Sequence, residues 1–195
     1  MGFLRAFKPS GLKSPQSFRV KGKSLTDIIA AHALFTRGAD GGVRADLAGA
    51  NLAHVDLSKA NLAYANFQGA NLDGANLRDA KLSSADFTGA KLPKADLRRA
   101  DLTETNMEGA DLTGAQLGGA ELFRAILRNA VLRGADFGAT NFRLADVHGA
   151  DFTGANMKTA ILRETDLEGV DLSGVDLSTA LMPRGYKSDA TPKRS

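Results

Sequence analysis

Catalysis or metal binding would show first as particular side chains at particular spacings, and three groups of residues have to be tested for it. The histidines, His32, His54 and His148, are scattered, and the chain has no cysteine; zinc sites want Cys or His ligands in short, regular pairs, so no metal or metal cofactor is expected. Gly22-Lys23-Ser24 has the closing residues of a phosphate-binding loop, in which glycine backbone and a lysine cradle phosphates. That loop requires another glycine five residues before Gly22, and Ser17 stands there. Carboxylates are abundant, and pairs such as Asp96 and Asp101 could be taken for an acid and a base. Their spacing has a different origin.

Five residues separate Asp96 from Asp101, and five is the period of most of the chain. A large apolar residue returns at Leu47, Leu52, Leu57, Leu62, Phe67, Leu72 and so on to Leu177 and Met182 without a slip. Two positions earlier stands a small residue, usually Ala, with Val55, Thr105, Thr140, Thr165, Val170 and Val175 as exceptions; Asp or Asn usually lies between the two. Two variable residues follow, the second often Gly, as at Gly49, Gly69 and Gly74. Helical spacing would sweep the leucines around every face, and strand alternation would flip them at each repeat. A coil in which each repeat forms one side of a square resolves both difficulties. The large and the small residue then point inward, the turn falls on the variable pair, and residues 20 apart stack in columns. Coils stacked at roughly 4.8 Å would give about seven coils and a rod roughly 30–35 Å long. Such a packed rod has no cleft, so neither an enzyme nor a small-molecule substrate is expected.

The strings Ala45-Asp46-Leu47-Ala48-Gly49-Ala50-Asn51-Leu52 and Ala110-Asp111-Leu112-Thr113-Gly114-Ala115-Gln116-Leu117 resemble the A(D/N)LXX signature of the pentapeptide-repeat family. The resemblance implies an all-β fold, a right-handed quadrilateral parallel β-helix. The segment from Asp27 to Phe35 is similar to a helical lead-in before the first coil in some relatives. The family implies no single function; its members include gyrase-binding quinolone-resistance proteins that mimic DNA.

Outside the repeats, residues 1–23 hold six Lys and Arg with no acid and read as a flexible basic arm. Residues 24–38 read as a capping helix with Ser24 as N-cap, an apolar face of Leu25, Ile28, Ile29, His32 and Phe35, and a stop at Gly38. Residues 43–182 are the β-helix and 183–195 a basic tail. No apolar stretch is long enough for a signal peptide or a membrane span, so a cytoplasmic location is expected.

The net charge of +3 conceals an uneven distribution: residues 43–182 carry 14 Lys and Arg against 19 Asp and Glu, between basic ends. One face shows an acidic stripe of Asp46, Asp86, Glu108, Asp146, Asp166 and Glu168, with Arg128 as its single base. That stripe is the candidate surface for a DNA-mimicking inhibitor or protector of DNA gyrase, although a DNA mimic should be more densely acidic. A second candidate is a protein-contact patch of outward apolar and arginine residues: Phe123, Arg124, Ile126 and Leu144, with Ile161 on the same face. A third is the C-terminal coil, whose bulky Val170, Val175, Leu181 and Met182 could support a homodimer. Nucleic acid or membrane contact through the basic ends is the weakest expectation. The leading expectation is a scaffold or protein-binding rod whose partner is an unidentified protein.

Overall fold

A computed structural model describes residues 11–172 and 174–186. Nearly every repeat contributes one bridge residue, and these pair in parallel at intervals of 20: Asp46 with Asn66, Asn66 with Asp86, and onward to Ile161 with Leu181. Four five-residue sides therefore complete one coil. The bonds are regular, as in Leu47 N–H to the Asn66 carbonyl at 2.7 Å and Asn66 N–H to the Ala45 carbonyl at 2.9 Å.

At each corner a turn closes between the central residue and the small residue of the next repeat, as in Ala50 N–H to the Leu47 carbonyl at 3.1 Å. The second residue of the variable pair adopts a left-handed backbone, with φ of 66° at Gly49. Glycine recurs there because it alone enters that region without a Cβ penalty.

The central and small residues form one continuous buried cluster from Val20 to Leu162. Phe67 and Phe87, one coil apart, stack with centroids 4.6 Å apart. Phe137, Phe142 and Phe152 meet on the axis from three sides, at 5.1 to 6.1 Å. Where threonine replaces alanine, its buried hydroxyl donates to a backbone carbonyl: Thr105 to Leu102, Thr140 to Leu117 and Thr165 to Phe142. Each such pairing avoids the cost of an unsatisfied polar group.

Residues 1–10 of the expected arm lie outside the described residues, but the remainder of the arm is structured. Lys13 adds one strand position beneath the first coil, donating to the His54 carbonyl at 2.8 Å and accepting from Asp56 N–H at 2.9 Å. A 3-10 turn at Pro15–Ser17 leads into a hairpin of β1 (Arg19–Val20) and β2 (Lys23–Ser24). Gly22-Lys23-Ser24 thus belongs to a hairpin, with Lys21 and Gly22 at φ of 50° and 81° in its turn. The physical reason for order in this basic stretch is burial: Val20 joins the core, which residue-by-residue charge does not reveal.

Helix α1 (Leu25–Phe35) follows directly. Leu25 and His32 are buried and Ile28 and Ile29 pack on the core, whereas Phe35 stays 38% exposed. Ser24 makes no side-chain cap bond; its hydroxyl pairs with that of Thr26 at 2.5 Å. Gly38, at φ 64°, ends the helix with its N–H on the Phe35 carbonyl at 3.0 Å.

Candidate binding surface

The outward positions carry the chemistry, because the inward ones are consumed by the core. Val43, just before the first coil, and four large apolar residues from Ala45 onward are exposed: Tyr64, Ile126, Leu144 and Leu181. Tyr64, Leu144 and Leu181 lie on the face whose buried line runs through Leu122, Phe142 and Leu162, and Ile126 sits around the adjoining corner. Among the described residues the other two faces have none. Phe123 and Ile161, half-buried, belong to the same face.

Arg124 lies over the Phe123 ring, its guanidinium carbon 5.1 Å from the centroid, and pairs with Glu104 at 3.6 Å. One coil on, Leu144 stacks above Arg124, with a backbone φ of 57° and 41% exposure. The expected patch of Phe123, Arg124 and Leu144 is thus contiguous. Ile126 occupies the bridge column of the next face, between Asn106 and Asp146.

Further along the same face Arg143 reaches Glu164 at 3.1 Å. Beyond it Arg163, Glu164, Met182, Pro183 and Arg184 line an open hollow of about 760 Å³. Arg163 and Arg184 have no ion pair among the described residues. Neither arginine was singled out from the sequence, although stacking at intervals of 20 puts Arg163 directly above Arg143.

The acidic stripe is interrupted. Its column reads Asp46, Asn66, Asp86, Asn106, Ile126, Asp146, Asp166. Lys21 of the hairpin pairs with Asp46, and Arg128 with Asp146 at 2.5 Å. The hydrogen bond from Lys21 holds the Asp46 carboxyl below its ordinary range. Glu108, Asp166 and Glu168 keep no cation partner among the described residues.

Most of these aspartates also support the turns. Each Oδ1 accepts the backbone N–H two residues on, as Asp86 does from Thr88 at 3.0 Å and Asp166 from Glu168 at 2.9 Å. Asn side chains extend the pattern between coils: Asn76 donates to Asp56 at 2.9 Å and Asn156 to Asp136 at 2.8 Å. Bonds from the Thr153 hydroxyl and N–H, aided by Arg133, pull the Asp151 carboxyl down to about 2. The pair Asp96 and Asp101 fits the same pattern, each bonded to the N–H two residues ahead. Among the described residues no cluster of His, Asp or Glu is arranged to hold a metal ion.

At the C-terminal end Val170, Val175 and Met182 are half-buried against the core, while Leu181 is 44% exposed. Bridges from Asn156 to Asp176 and from Ile161 to Leu181 tie this last coil to the one before it.

Repeats that pair at intervals of 20 around a shared Ala, Leu and Phe axis define a four-sided β-solenoid. A family profile described as pentapeptide repeats matches in eight copies, over residues 43–79, 80–119, 120–158 and 140–178. The chain belongs to the pentapeptide-repeat family, whose fold is a right-handed β-helix. It resembles the crystal structure of HetL, a pentapeptide repeat protein involved in heterocyst differentiation regulation from the cyanobacterium Nostoc sp. strain PCC 7120. The identity is 28% over 74% of this chain and 81% of that one, with a TM-score of 0.55. Rfr23 from the cyanobacterium Cyanothece 51142 is 26% identical over 67% of this chain and 93% of its own, with a TM-score of 0.49. QnrB1, a plasmid-mediated fluoroquinolone resistance protein, is 22% identical over 68% and 81%, with a TM-score of 0.34. No curated protein matches the chain in sequence. Among the described residues no helix is long and apolar enough to cross a membrane.

Proposed function

We propose that this chain is a non-enzymatic rod of about seven coils that binds a partner protein through the corner of Phe123, Arg124, Ile126 and Leu144, with Ile161 on the same face. In this reading helix α1 closes the N-terminal end, and the open C-terminal coil, through Val170, Val175, Leu181 and Met182, is available to a second copy.

The observation that carries the reading is Leu144. It holds a left-handed backbone at φ 57° and leaves its side chain 41% exposed. That backbone belongs to the corner itself: Tyr64, Arg124 and Glu164 in the same column share it, at φ of 66°, 56° and 63°. What sets Leu144 apart from Arg124 and Glu164 is an apolar side chain left in water beside Phe123 and Arg124, which a partner would cover. Neighbouring Phe123 and Arg124 add the aromatic and guanidinium surface typical of contact centres.

The competing reading, a DNA-mimicking inhibitor or protector of gyrase, has less support. Lys21 and Arg128 neutralise two members of the acidic stripe, and Asn66, Asn106 and Ile126 interrupt its column. The partner-binding reading is tested by affinity capture from the source organism with the wild type and a Phe123→Ala, Ile126→Ala, Leu144→Gly variant. A partner retained by the wild type and lost by the variant is the expected result. Identical captures by the two would overturn the reading.

A further inference from the structure

We infer that the face carrying Phe123, Leu144 and Leu181 recognises an acidic polypeptide segment, whose carboxylates reach Arg163 and Arg184 while its apolar side chains cover Leu144 and Phe123. This rests on the partner-binding reading and specifies the partner's chemistry.

The inference begins with charge that the molecule does not satisfy for itself. Four arginines rise along this face: Arg124, Arg143, Arg163 and Arg184. The first two are engaged by Glu104 and Glu164. Glu164, the carboxylate shared by the hollow, is held by Arg143 through both oxygens at 3.1 Å. Arg163 and Arg184 are left beside Met182 and Pro183 on the walls of the open hollow. A guanidinium presents several donors in a fixed plane and suits a carboxylate in two-point contact. From the level of Phe123 to that of Pro183 is three coil steps, about 14 Å along the axis, which an extended segment of four or five residues spans.

Other occupants fit less well. The chain's own residues 187–195 contain Lys187, Lys193 and Arg194 against Asp189, the same sign as the unsatisfied arginines. A second copy placed face to face would set Arg163 and Arg184 against their own equivalents. A nucleic acid would pair its phosphates with the arginines, but its backbone brings no apolar side chains. It would also leave Leu144 and Leu181 uncovered. An acidic segment with interspersed apolar residues satisfies both the charge and the apolar surface.

The test is fluorescence anisotropy on the full chain with three labelled probes: an octapeptide alternating Glu or Asp with Leu or Phe, the same peptide with Lys replacing the acids, and a single-stranded oligonucleotide of matched charge. The acidic peptide should bind and the lysine peptide should not. Arg163→Glu with Arg184→Glu, and separately Leu144→Gly, should each weaken the acidic peptide at least tenfold, with far-ultraviolet circular dichroism unchanged. Absence of binding, binding unaffected by the charge reversal, or equally tight binding of the oligonucleotide overturns the inference. If the host partner is lost on the Phe123, Ile126 and Leu144 substitutions yet held at full strength by the Arg163→Glu, Arg184→Glu variant, partner binding stands and acidic recognition falls.

Discussion

The imidazole Nδ1 of His32 accepts a hydrogen bond from the backbone N–H of Ala45 at 3.0 Å, which ties helix α1 to the first repeat. The ring is buried, stacks on Phe35 at 5.5 Å, and its Nε2 has no hydrogen-bond partner among the described residues. Burial lowers its pKa below the ordinary 6.5; the Ala63 carbonyl opposes the shift and the charge of Arg44 adds to it. Because the folded value lies below the unfolded one, the stabilisation is present above about pH 6.5 and is lost as pH falls below it. The melting temperature should therefore drop between pH 7 and pH 5, and His32→Gln should lessen that drop. An equal drop in the variant would exclude His32 as the cause.

The inward assignment is checked by neighbours in one repeat. Leu112 is fully buried, so Leu112→Asp places an unpaired charge on the axis and should cost several kcal/mol. Thr113 is exposed, and its hydroxyl donates to Asp111 at 2.6 Å, so Thr113→Lys should cost no more than about 1 kcal/mol. Chemical denaturation of the two variants distinguishes these outcomes.

Asp136 tests whether the recurrent acid is structural. Its Oδ1 accepts from Gly138 N–H at 3.0 Å and from Asn156 at 2.8 Å. Asp136→Asn keeps an acceptor oxygen and should melt close to the wild type, as Asn76 already serves in the same column. Asp136→Ala removes both bonds and should destabilise by about 1–2 kcal/mol. If the Asn variant lost as much as the Ala variant, charge rather than hydrogen bonding would be the contribution.

Gyrase provides the test of the acidic stripe. With Asp46 and Asp146 paired, no inhibition of supercoiling is expected at micromolar protein. Potent inhibition that disappears on changing Asp86, Glu108, Asp166 and Glu168 to their amides, and weakens with salt, would reverse the ranking of the two functions.

Self-association should depend on the last coil, where Leu181 is exposed and Met182 half-buried. Sedimentation should show a concentration-dependent dimer that Leu181→Lys with Met182→Lys abolishes. A monomer at every accessible concentration would remove the C-terminal contact from consideration.

The solenoid was legible in the sequence because its determinants are local. Each repeat makes the same turn, so the same two residues face inward every five positions, and Leu47 and Ala50 announce their burial by period alone. The aspartates could be assigned to the turns for the same reason. What only the tertiary structure decided depends on groups brought together from distant parts of the chain. The basic stretch around Lys13 and Val20 is ordered because an open strand edge and an apolar axis lie beneath it, and Lys21 neutralises Asp46 only once the hairpin folds over the first coil. The sequence placed Arg128 and Asp146 on one face, but only the folded side chains decide that Arg128 pairs with Asp146, 18 residues on, and not with another acid of the stripe. The hollow between Arg163 and Arg184 forms where Met182 and Pro183 close the last coil, so its unsatisfied charge is a property of the packed end and not of any local motif.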